Sequence, residues 1–423
     1  MNKLENKNLF NKNFVLVILG QLISIFANSV LRFALPLYIL DLTGSTAIFG
    51  IILAAAAVPP IIFSPFGGIL ADRCNRRNIM VSLDFLTAII IGVFAFLIMQ
   101  ESAVIVITIL MILFAVIQAF YQPAVQASIP VIVSKSNLEE ANGIVSLVNA
   151  ISSLMGPVVA GVLYSIFSIQ DLMFAAVLLF FLAAVMELFI YINFEREKSR
   201  QGILKIISSD LSLSLKFIRQ DNPIMLKVMF ITAAMNLFLT SMILVGLPAM
   251  IKIALGLNSQ LYGFAEAAMA AGMIAGALAA GSLGKKVGAH DSYKFLALAA
   301  FGLLPISAAF SLNLAPMLIY YVILLSSFII STAVTIFTVI MMSFIQRQTP
   351  DHLIGKVISY ILVISQCTLP FGQAIYGFVF EHFIYSINLI VFLTAIFSIL
   401  TAFYSKNIFS KFIESKFSAV YQN

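Results

Sequence analysis

The feature that most constrains this chain is a series of about twelve long apolar stretches separated by short polar breaks. A membrane-spanning helix needs about 20 mostly apolar residues, and the stretches match that length. With 61% hydrophobic and only 10% charged residues, the chain is far more apolar than a soluble domain. Its continuous apolar runs also exclude a transmembrane barrel, whose short strands alternate apolar and polar residues. We therefore predict an all-α polytopic membrane protein.

The predicted helices form two six-helix halves on either side of a basic break. The first half covers residues 1–194, a linker covers 195–222, the second half covers 223–405, and a tail covers 406–423. Three short runs of the first half recur in the second, in the same order and at nearly the same offset. Such recurrence argues for duplicated, pseudo-symmetric halves. The predicted spans are 13–40, 46–71, 78–100, 102–127, 141–167, 171–194, 223–251, 259–284, 293–312, 315–343, 356–380 and 384–405.

The distribution of basic residues predicts how the chain crosses the membrane. When the chain is threaded through twelve helices, all of its 24 Lys and Arg residues except Arg32 and Lys252 fall on one side. Basic residues favour cytoplasmic loops, so both termini are predicted to be cytoplasmic. The net charge of +6 then reflects topology, and we expect no nucleic-acid partner. The two cysteines suggest no disulfide framework.

The most specific local motif is G-I-L-A-D-R-C-N-R-R, which follows predicted helix 2 and begins at Gly68. Gly68 is expected to allow close helix contact, and Asp72 can meet a helix N-terminus or an arginine. Asn75 tolerates a left-handed conformation of the kind that glycine adopts. The alternative is a basic loop that only sets topology. The predicted gating residues are Gly68, Asp72, Arg73, Arg76 and Arg77, whereas a second copy of the motif has Lys285 at the acidic position.

A second motif, G-P-V-V-A-G, lies in the middle of predicted helix 5. Gly156 and Gly161 remove side chains, and Pro157 frees a backbone carbonyl, so this segment is expected to pack closely and to bend. The alternative is an ordinary proline kink.

The first motif resembles the signature loop of the major facilitator superfamily, and the second resembles the motif of its antiporter members. The runs D-L-T-G-S, Q-P-A-V-Q-A-S-I-P and L-E-E-A-N-G are similar to its macrolide-efflux branch, which also resembles siderophore exporters and lysophospholipid transporters. The resemblance implies two six-helix halves that alternate in access and a latch at the signature loop. It also implies a bacterial plasma-membrane location, proton antiport and multidrug or macrolide resistance, without a cofactor or a metal.

Polar residues at helical spacing mark one face of predicted helices 1, 4 and 7. Polar side chains in membrane helices face the bundle interior or a cavity, and the resemblance assigns these three helices to the cavity. The alternative is hydrogen bonding between helices. With 38 Phe and 17 Met, the chain offers adaptable apolar surface, which suits a bulky amphiphilic cargo. The predicted substrate-binding residues are Gln21, Asn28, Arg32, Gln118, Gln122, Asn236 and Thr240.

Three carboxylates within predicted helices are candidates for proton coupling. Glu266 lies at the depth of Arg32, so these two residues are predicted to pair and to release each other upon protonation. An interior glutamine or a backbone carbonyl could satisfy Arg32 instead. Asp84 and Glu187 lie nearer the cytoplasmic face and are the next candidates.

The leading hypothesis is a secondary exporter of an apolar or amphiphilic compound. A lysolipid transporter or flippase and a siderophore exporter are the rivals within transporters. A membrane-embedded enzyme would need a nucleophile with a base or a metal cluster, and the three histidines lie at loops or helix ends without metal-ligand spacing. A non-transporting receptor or scaffold is the remaining alternative. The expected partners are the cargo and the lipid bilayer, with no obligate protein partner.

Overall fold

The computed structural model describes residues 9–98, 102–192, 217–283, 287–350 and 353–421. Within these ranges, eleven helical stretches are long and apolar enough to cross a bilayer. The last stretch, Ile354–Ser410, contains two of the predicted helices, which are separated by a 3-10 turn at Ile384–Ser386. The predicted all-α membrane fold is confirmed.

The chain divides into two compact units, Met1–Gln201 and Gly202–Asn423. The predicted linker at 195–222 lies outside the described residues as far as residue 216. The first unit contains α1 (Lys12–Thr43), α2 (Thr46–Arg73), α3 (Arg76–Leu97), α4 (Ala103–Ile132), α5 (Leu138–Ile166) and α6 (Ile169–Leu188). The second contains α7 (Ile224–Ala254), α8 (Ser259–Leu283), α9 (Ala289–Ser311), α10 (Pro316–Gln348), α11 (Ile354–Phe383) and α12 (Ile387–Tyr421).

Polar capping residues explain where several helices of the first unit begin and end. The side chain of Asn11 accepts a hydrogen bond from the Phe14 amide at the start of α1. Gly44 ends α1 with a φ of 64°, a left-handed conformation that glycine adopts without strain. Ser168 and Asp171 form a reciprocal capping box at the start of α6. These caps satisfy backbone groups that the apolar spans leave open at their ends.

Some helices extend well beyond the predicted apolar spans. The last span is predicted to end at residue 405, but α12 continues to Tyr421. The tenth is predicted to end at 343, but α10 continues to Gln348. Loss of apolarity ends a membrane span without ending a helix, because Lys, Glu and Gln are good helix formers.

Small residues set the closest helix contacts in each unit. In the first unit, a Cβ added to Gly67 of α2 would collide with the carbonyl of Ala119 on α4. In the second unit, a Cβ added to Gly276 of α8 would collide with the carbonyl of Thr332 on α10. The second and fourth helices of each unit therefore approach each other closely only because these positions lack side chains.

Helix α7 departs from regular α-helical geometry. It contains π-helical turns at Asn236–Thr240 and Ala249–Ala254, on either side of the α-helical segment Ser241–Pro248. The sequence-based prediction treated this region as one regular span. In a π turn the backbone hydrogen bonds join residues five apart in place of the four of an α-helix. Such turns are often found at functional sites.

Candidate functional site

Two carboxyl groups lie inside the first unit. Asp84 on α3 and Glu187 on α6 are 2% and 0% exposed, and they are the only charged side chains among the fully buried residues of the described chain. Both were predicted from sequence as secondary candidates for proton coupling. Because burying an ionised carboxylate is costly unless it is paired, their surroundings determine what they can do.

Each carboxyl accepts a hydrogen bond from a buried hydroxyl group of another helix. The Ser24 hydroxyl of α1 donates to Asp84 Oδ2 at 2.6 Å. The Tyr121 hydroxyl of α4 donates to Glu187 Oε1 at 2.8 Å. We call these four residues the acid cluster. Four helices of the first unit each contribute one side chain to it.

The members of the acid cluster are close enough to influence one another. The charge of Asp84 acts on Glu187, and both carboxyl groups act on the Tyr121 phenol. The Ser24 hydroxyl also lies beside Tyr121. The cluster therefore forms a connected polar path from Asp84 through two hydroxyl groups to Glu187.

The acid cluster retains unused hydrogen-bonding capacity. Glu187 Oε2 and the nearby buried Gln21 Oε1 have no hydrogen-bond partner within the described structure. No Lys, Arg or His of the described ranges forms an ion pair with Asp84 or Glu187. Gly20 gives Glu187 room, because a Cβ there would lie 3.2 Å from Glu187 Cγ. A site of this kind can take up a proton, which removes charge and adds a donor.

The signature loop contacts the end of the helix that carries Glu187. The Arg77 guanidinium donates a hydrogen bond to the carbonyl oxygen of Leu188, the residue after Glu187. The chain after α6 is also tied to α1, because Asn13 Nδ2 donates to the Tyr191 carbonyl at 2.9 Å and the Tyr191 amide donates to Asn13 Oδ1 at 3.0 Å. The loop and the start of α1 thus fix the end of α6.

One expectation for the signature loop is wrong in detail. Asn75 has a φ of −65° and caps α3 by accepting from the Arg77 amide, so it does not use the left-handed conformation that Asn tolerates. The close helix contact lies at Gly67, whereas a Cβ at Gly68 would meet nothing within 4 Å. Arg76 Nε donates to the Ala71 carbonyl at 3.1 Å. The gating roles of Gly68, Asp72, Arg73, Arg76 and Arg77 stay predictions.

The glycine-proline motif of α5 packs against α1, as expected. A Cβ added to Gly156 would collide with the side chain of Ser29. Pro157 and Gly161 are also buried, and α5 continues through them to Ile166. The antiporter-like role of Gly156, Pro157 and Gly161 stays a prediction.

The predicted substrate-binding residues have differing environments. Gln21 and Asn28 of α1 are buried, Gln118 and Gln122 of α4 are half-buried, and Arg32 is exposed. Their binding roles stay predictions.

On α7, the polar residues take part in hydrogen bonds between helices. Asn236 Nδ2 donates to the Ser365 carbonyl of α11 at 2.9 Å, and the Thr232 and Ser365 hydroxyls are 2.6 Å apart. Thr240 donates to Asn236 Oδ1 at 3.5 Å. Hydrogen bonding between helices, the alternative that the sequence left open, thus accounts for part of this polar face.

Glu266 and Arg32 belong to different units, and their predicted pairing stays a prediction. Glu266 accepts a hydrogen bond from Tyr262, one turn earlier on α8. Sequence reasoning missed Tyr121, although its hydroxyl lies between Gln118 and Gln122 in the sequence of predicted helix 4. A buried tyrosine hydroxyl needs a partner, and that requirement was the available signal.

Comparison with known proteins connects this architecture to transport. The family model of the Major Facilitator Superfamily matches residues 17–372. Macrolide efflux protein A of Enterococcus faecalis is 23% identical over 327 residues, which cover 74% of this chain and 95% of that protein. Macrolide efflux protein A of Streptococcus pyogenes is 27% identical over 170 residues, 40% of this chain. That match spans 42% of the Streptococcus pyogenes protein, which is less than half of its length.

A solved structure supports the same fold. A bacterial homologue of the human lysosomal transporter Spinster, in an inward-facing and unoccupied conformation, has a TM-score of 0.73. It is 12% identical in sequence, and the match covers 95% of this chain and 97% of that chain. At this identity the likeness concerns the fold alone.

Proposed function

We propose that this chain, which belongs to the Major Facilitator Superfamily, is a secondary active exporter driven by proton antiport. Its cargo is an apolar or amphiphilic small molecule of the macrolide type, and it acts without covalent chemistry or a cofactor. The observation that carries the proposal is the acid cluster, in which two carboxyl groups are buried in membrane-spanning helices without a cation from the described chain. A proton is the simplest charge that such a pair can exchange.

The acid cluster is suited to a cycle of proton uptake and release. When Glu187 and Asp84 are both protonated, the cluster is neutral and tolerates a dry environment. When Glu187 is ionised, its unpartnered oxygen Oε2 requires water or movement of a neighbouring helix. Alternation between these states gives the unit two arrangements that respond to pH, which coupling to a proton gradient requires.

The proposed cargo rests on the relatives and on the apolar character of the chain. Two similar proteins are named macrolide efflux protein A, and the chain contains 38 Phe and 17 Met residues. Phe and Met offer large, adaptable apolar contact area. We place the protein in the bacterial plasma membrane with both termini in the cytoplasm, because of the bias of its basic residues.

The proposal can be tested with the full-length protein in lipid vesicles. An imposed pH gradient should drive accumulation of a radiolabelled macrolide by the wild-type protein. The double variant Asp84→Asn, Glu187→Gln should lose this accumulation by about tenfold or more, since it cannot exchange the proton. It should still exchange labelled for unlabelled macrolide across the membrane without a gradient, because the cargo site is intact.

Asp171→Asn is the matched control, because Asp171 is an exposed carboxylate at the other end of α6. It should accumulate the macrolide normally. If the double variant accumulates macrolide as well as the control does, the acid cluster is not the coupling site. If a lysolipid or a siderophore is accumulated and the macrolide is not, the cargo assignment is wrong and the corresponding rival is correct.

A further inference from the structure

A groove in the second unit lies apart from the acid cluster and has no part in the proposed proton coupling. It runs between α7 and α12 and has a volume of about 550 Å³. Its walls are almost entirely apolar, and several of them are exposed: Phe230 is 57% exposed and Leu400 is 57% exposed. Because both helices span the membrane, the natural occupant of such a surface is hydrocarbon.

The groove follows regular side-chain stripes along both helices. On α12, Phe397, Leu400 and Tyr404 recur at the spacing of one helix face. On α7, Phe230 and Phe238 provide the opposite wall. The rings of Phe238 and Phe397 are stacked, with centroids 4.9 Å apart and planes 9° apart. This stack marks one end of the groove lining, because Phe238 is the last lining residue of α7 and Phe397 is the first of α12.

A tyrosine of the lining and a lysine just beyond it mark the opposite end of the groove. Since Phe238 and Phe397 meet at the first end, Tyr404 on α12 lies toward the start of α7. The Tyr404 residue is half exposed, and its hydroxyl has no hydrogen-bond partner among the described residues. Lys227 lies one turn before Phe230 on the same face of α7, is exposed, and has no carboxylate partner within the described ranges.

These two polar groups lie where a membrane helix meets water. Lys227 is only three residues beyond the start of α7 at Ile224, and Tyr404 is followed by Lys406 on α12. Tyrosine and lysine side chains prefer this interfacial level, where lipid headgroups supply acceptors and negative charge. Basic pockets between membrane helices on the cytoplasmic side bind anionic headgroups.

We propose that the groove is a binding site for an anionic glycerophospholipid. One acyl chain lies along Phe230, Leu400 and the stacked phenylalanines, and the phosphate accepts hydrogen bonds from Lys227 and Tyr404. An apolar tail with an anionic head matches a groove that is apolar along its length and has an exposed lysine one turn beyond its lining. This site is independent of the proposed drug export and of the acid cluster.

The absence of tryptophan from the sequence allows a direct test. Leu400→Trp places a single reporter in the groove of the full-length protein. We would reconstitute this variant into vesicles that contain phosphatidylglycerol or phosphatidylcholine with brominated acyl chains, and measure quenching of the tryptophan fluorescence. Because of Lys227, brominated phosphatidylglycerol should associate with the groove about fivefold more strongly than brominated phosphatidylcholine. In the Leu400→Trp background, Lys227→Gln should reduce the ratio of the two association constants to about one.

Two controls keep the result specific. Phe403→Trp places the reporter at similar depth on α12 but outside the groove, and it should be quenched equally by both lipids. Lys406→Gln removes a basic residue that lies over the Tyr293 ring, with the ammonium 5.4 Å from the ring centroid, and it should leave the preference at Leu400→Trp unchanged. If Leu400→Trp does not fold, Phe397→Trp replaces it. Equal quenching by the two lipids in the groove, or a preference that survives Lys227→Gln, would overturn the proposal.

Discussion

In the first unit, Gly156 of α5 packs against Ser29 of α1, and in the second unit Gly372 of α11 packs against Ser241 of α7. The same pair of helices therefore makes the same glycine-serine contact in each unit. The buried polar groups differ, however. The first unit buries the carboxyl groups of Asp84 and Glu187, whereas the fully buried polar side chains described in the second unit are Ser, Thr and Gln. Equivalent packing thus supports different chemistry.

This difference suggests a division of labour between the two units. A carboxyl group changes its charge with pH, whereas hydroxyl and amide groups only rearrange hydrogen bonds. Under the proposed proton coupling, the first unit is the one that would respond to pH. In the second unit, hydroxyl groups and π turns in α7 give a helix interface that can shift without gaining or losing charge.

The largest expected effect tests whether packing is truly equivalent. Gly156→Leu and Gly372→Leu should each lower the free energy of unfolding by about 3 kcal/mol or more, because the added side chain has no space against the facing serine. Thermal unfolding of the purified variants would measure this. Gly143→Leu on α5 is the control, since a Cβ there meets nothing within 4 Å. Tolerance of one variant and not the other would show that the two contacts are not equivalent.

The next effect tests whether only the first unit responds to protons. Ser24→Ala and Tyr121→Phe each remove a hydrogen bond that favours the ionised carboxyl group. Proton release then becomes harder, so the midpoint of the pH profile of macrolide transport should move to higher pH by about one unit. Ser365→Ala removes a hydroxyl contact in the second unit and should leave the midpoint unchanged. If Ser365→Ala shifted the midpoint of the pH profile by the same amount, the two units would not differ in their response to protons.

A smaller effect concerns the signature loop and its second copy. Asp72→Asn should lower the maximal transport rate about two- to fivefold while the cargo affinity and the expression stay the same, because a carboxylate near a helix terminus contributes about 1 kcal/mol or less in exposed positions. Lys285→Gln in the second copy, at a position outside the described residues, should change neither. Equilibrium binding and initial transport rates would measure the two quantities. A weaker cargo affinity at an unchanged maximal rate would contradict the gating role of Asp72.

The smallest expected effect decides which unit carries the coupling. Glu266→Gln should change the transport rate about twofold and preserve its pH dependence, as removal of a partly exposed charge contributes little. Transport by this variant would be measured across the same pH range as for the acid cluster. Complete loss of pH dependence would instead support the Arg32 and Glu266 pair and would move proton coupling away from the acid cluster.

The sequence predicts the membrane fold well because helix length and apolarity follow directly from the thickness of the bilayer. It also identifies Asp84 and Glu187, since carboxylates in apolar helices are rare. It ranks them below Glu266, however, because depth along a helix says nothing about which side chains of other helices lie beside a residue. The partnership of Tyr121 with Glu187 joins residues that are 66 positions apart, and neither helical periodicity nor a local motif relates them.

The interruption of α7 was also beyond sequence reasoning, because Asn236–Thr240 has the composition of an ordinary membrane helix. Its π turn is hydrogen-bonded both within α7 and to the neighbouring helix α11. Ser241 donates to the Asn236 carbonyl at 2.7 Å, and Asn236 itself bonds to α11. The local sequence therefore permits the turn, and the neighbouring helix stabilises it.

The two π turns of α7 give the segment Ser241–Pro248 a mechanical property. Each π turn accommodates roughly one residue more than the α-helical path requires. If the extra residue moved from one π turn to the other, the segment between them would shift by one residue. That shift is about 1.5 Å along the helix axis and about 100° around it. The ends of α7 would stay in place, so a single helix could present a different face to its neighbours without breaking contact with the rest of its unit.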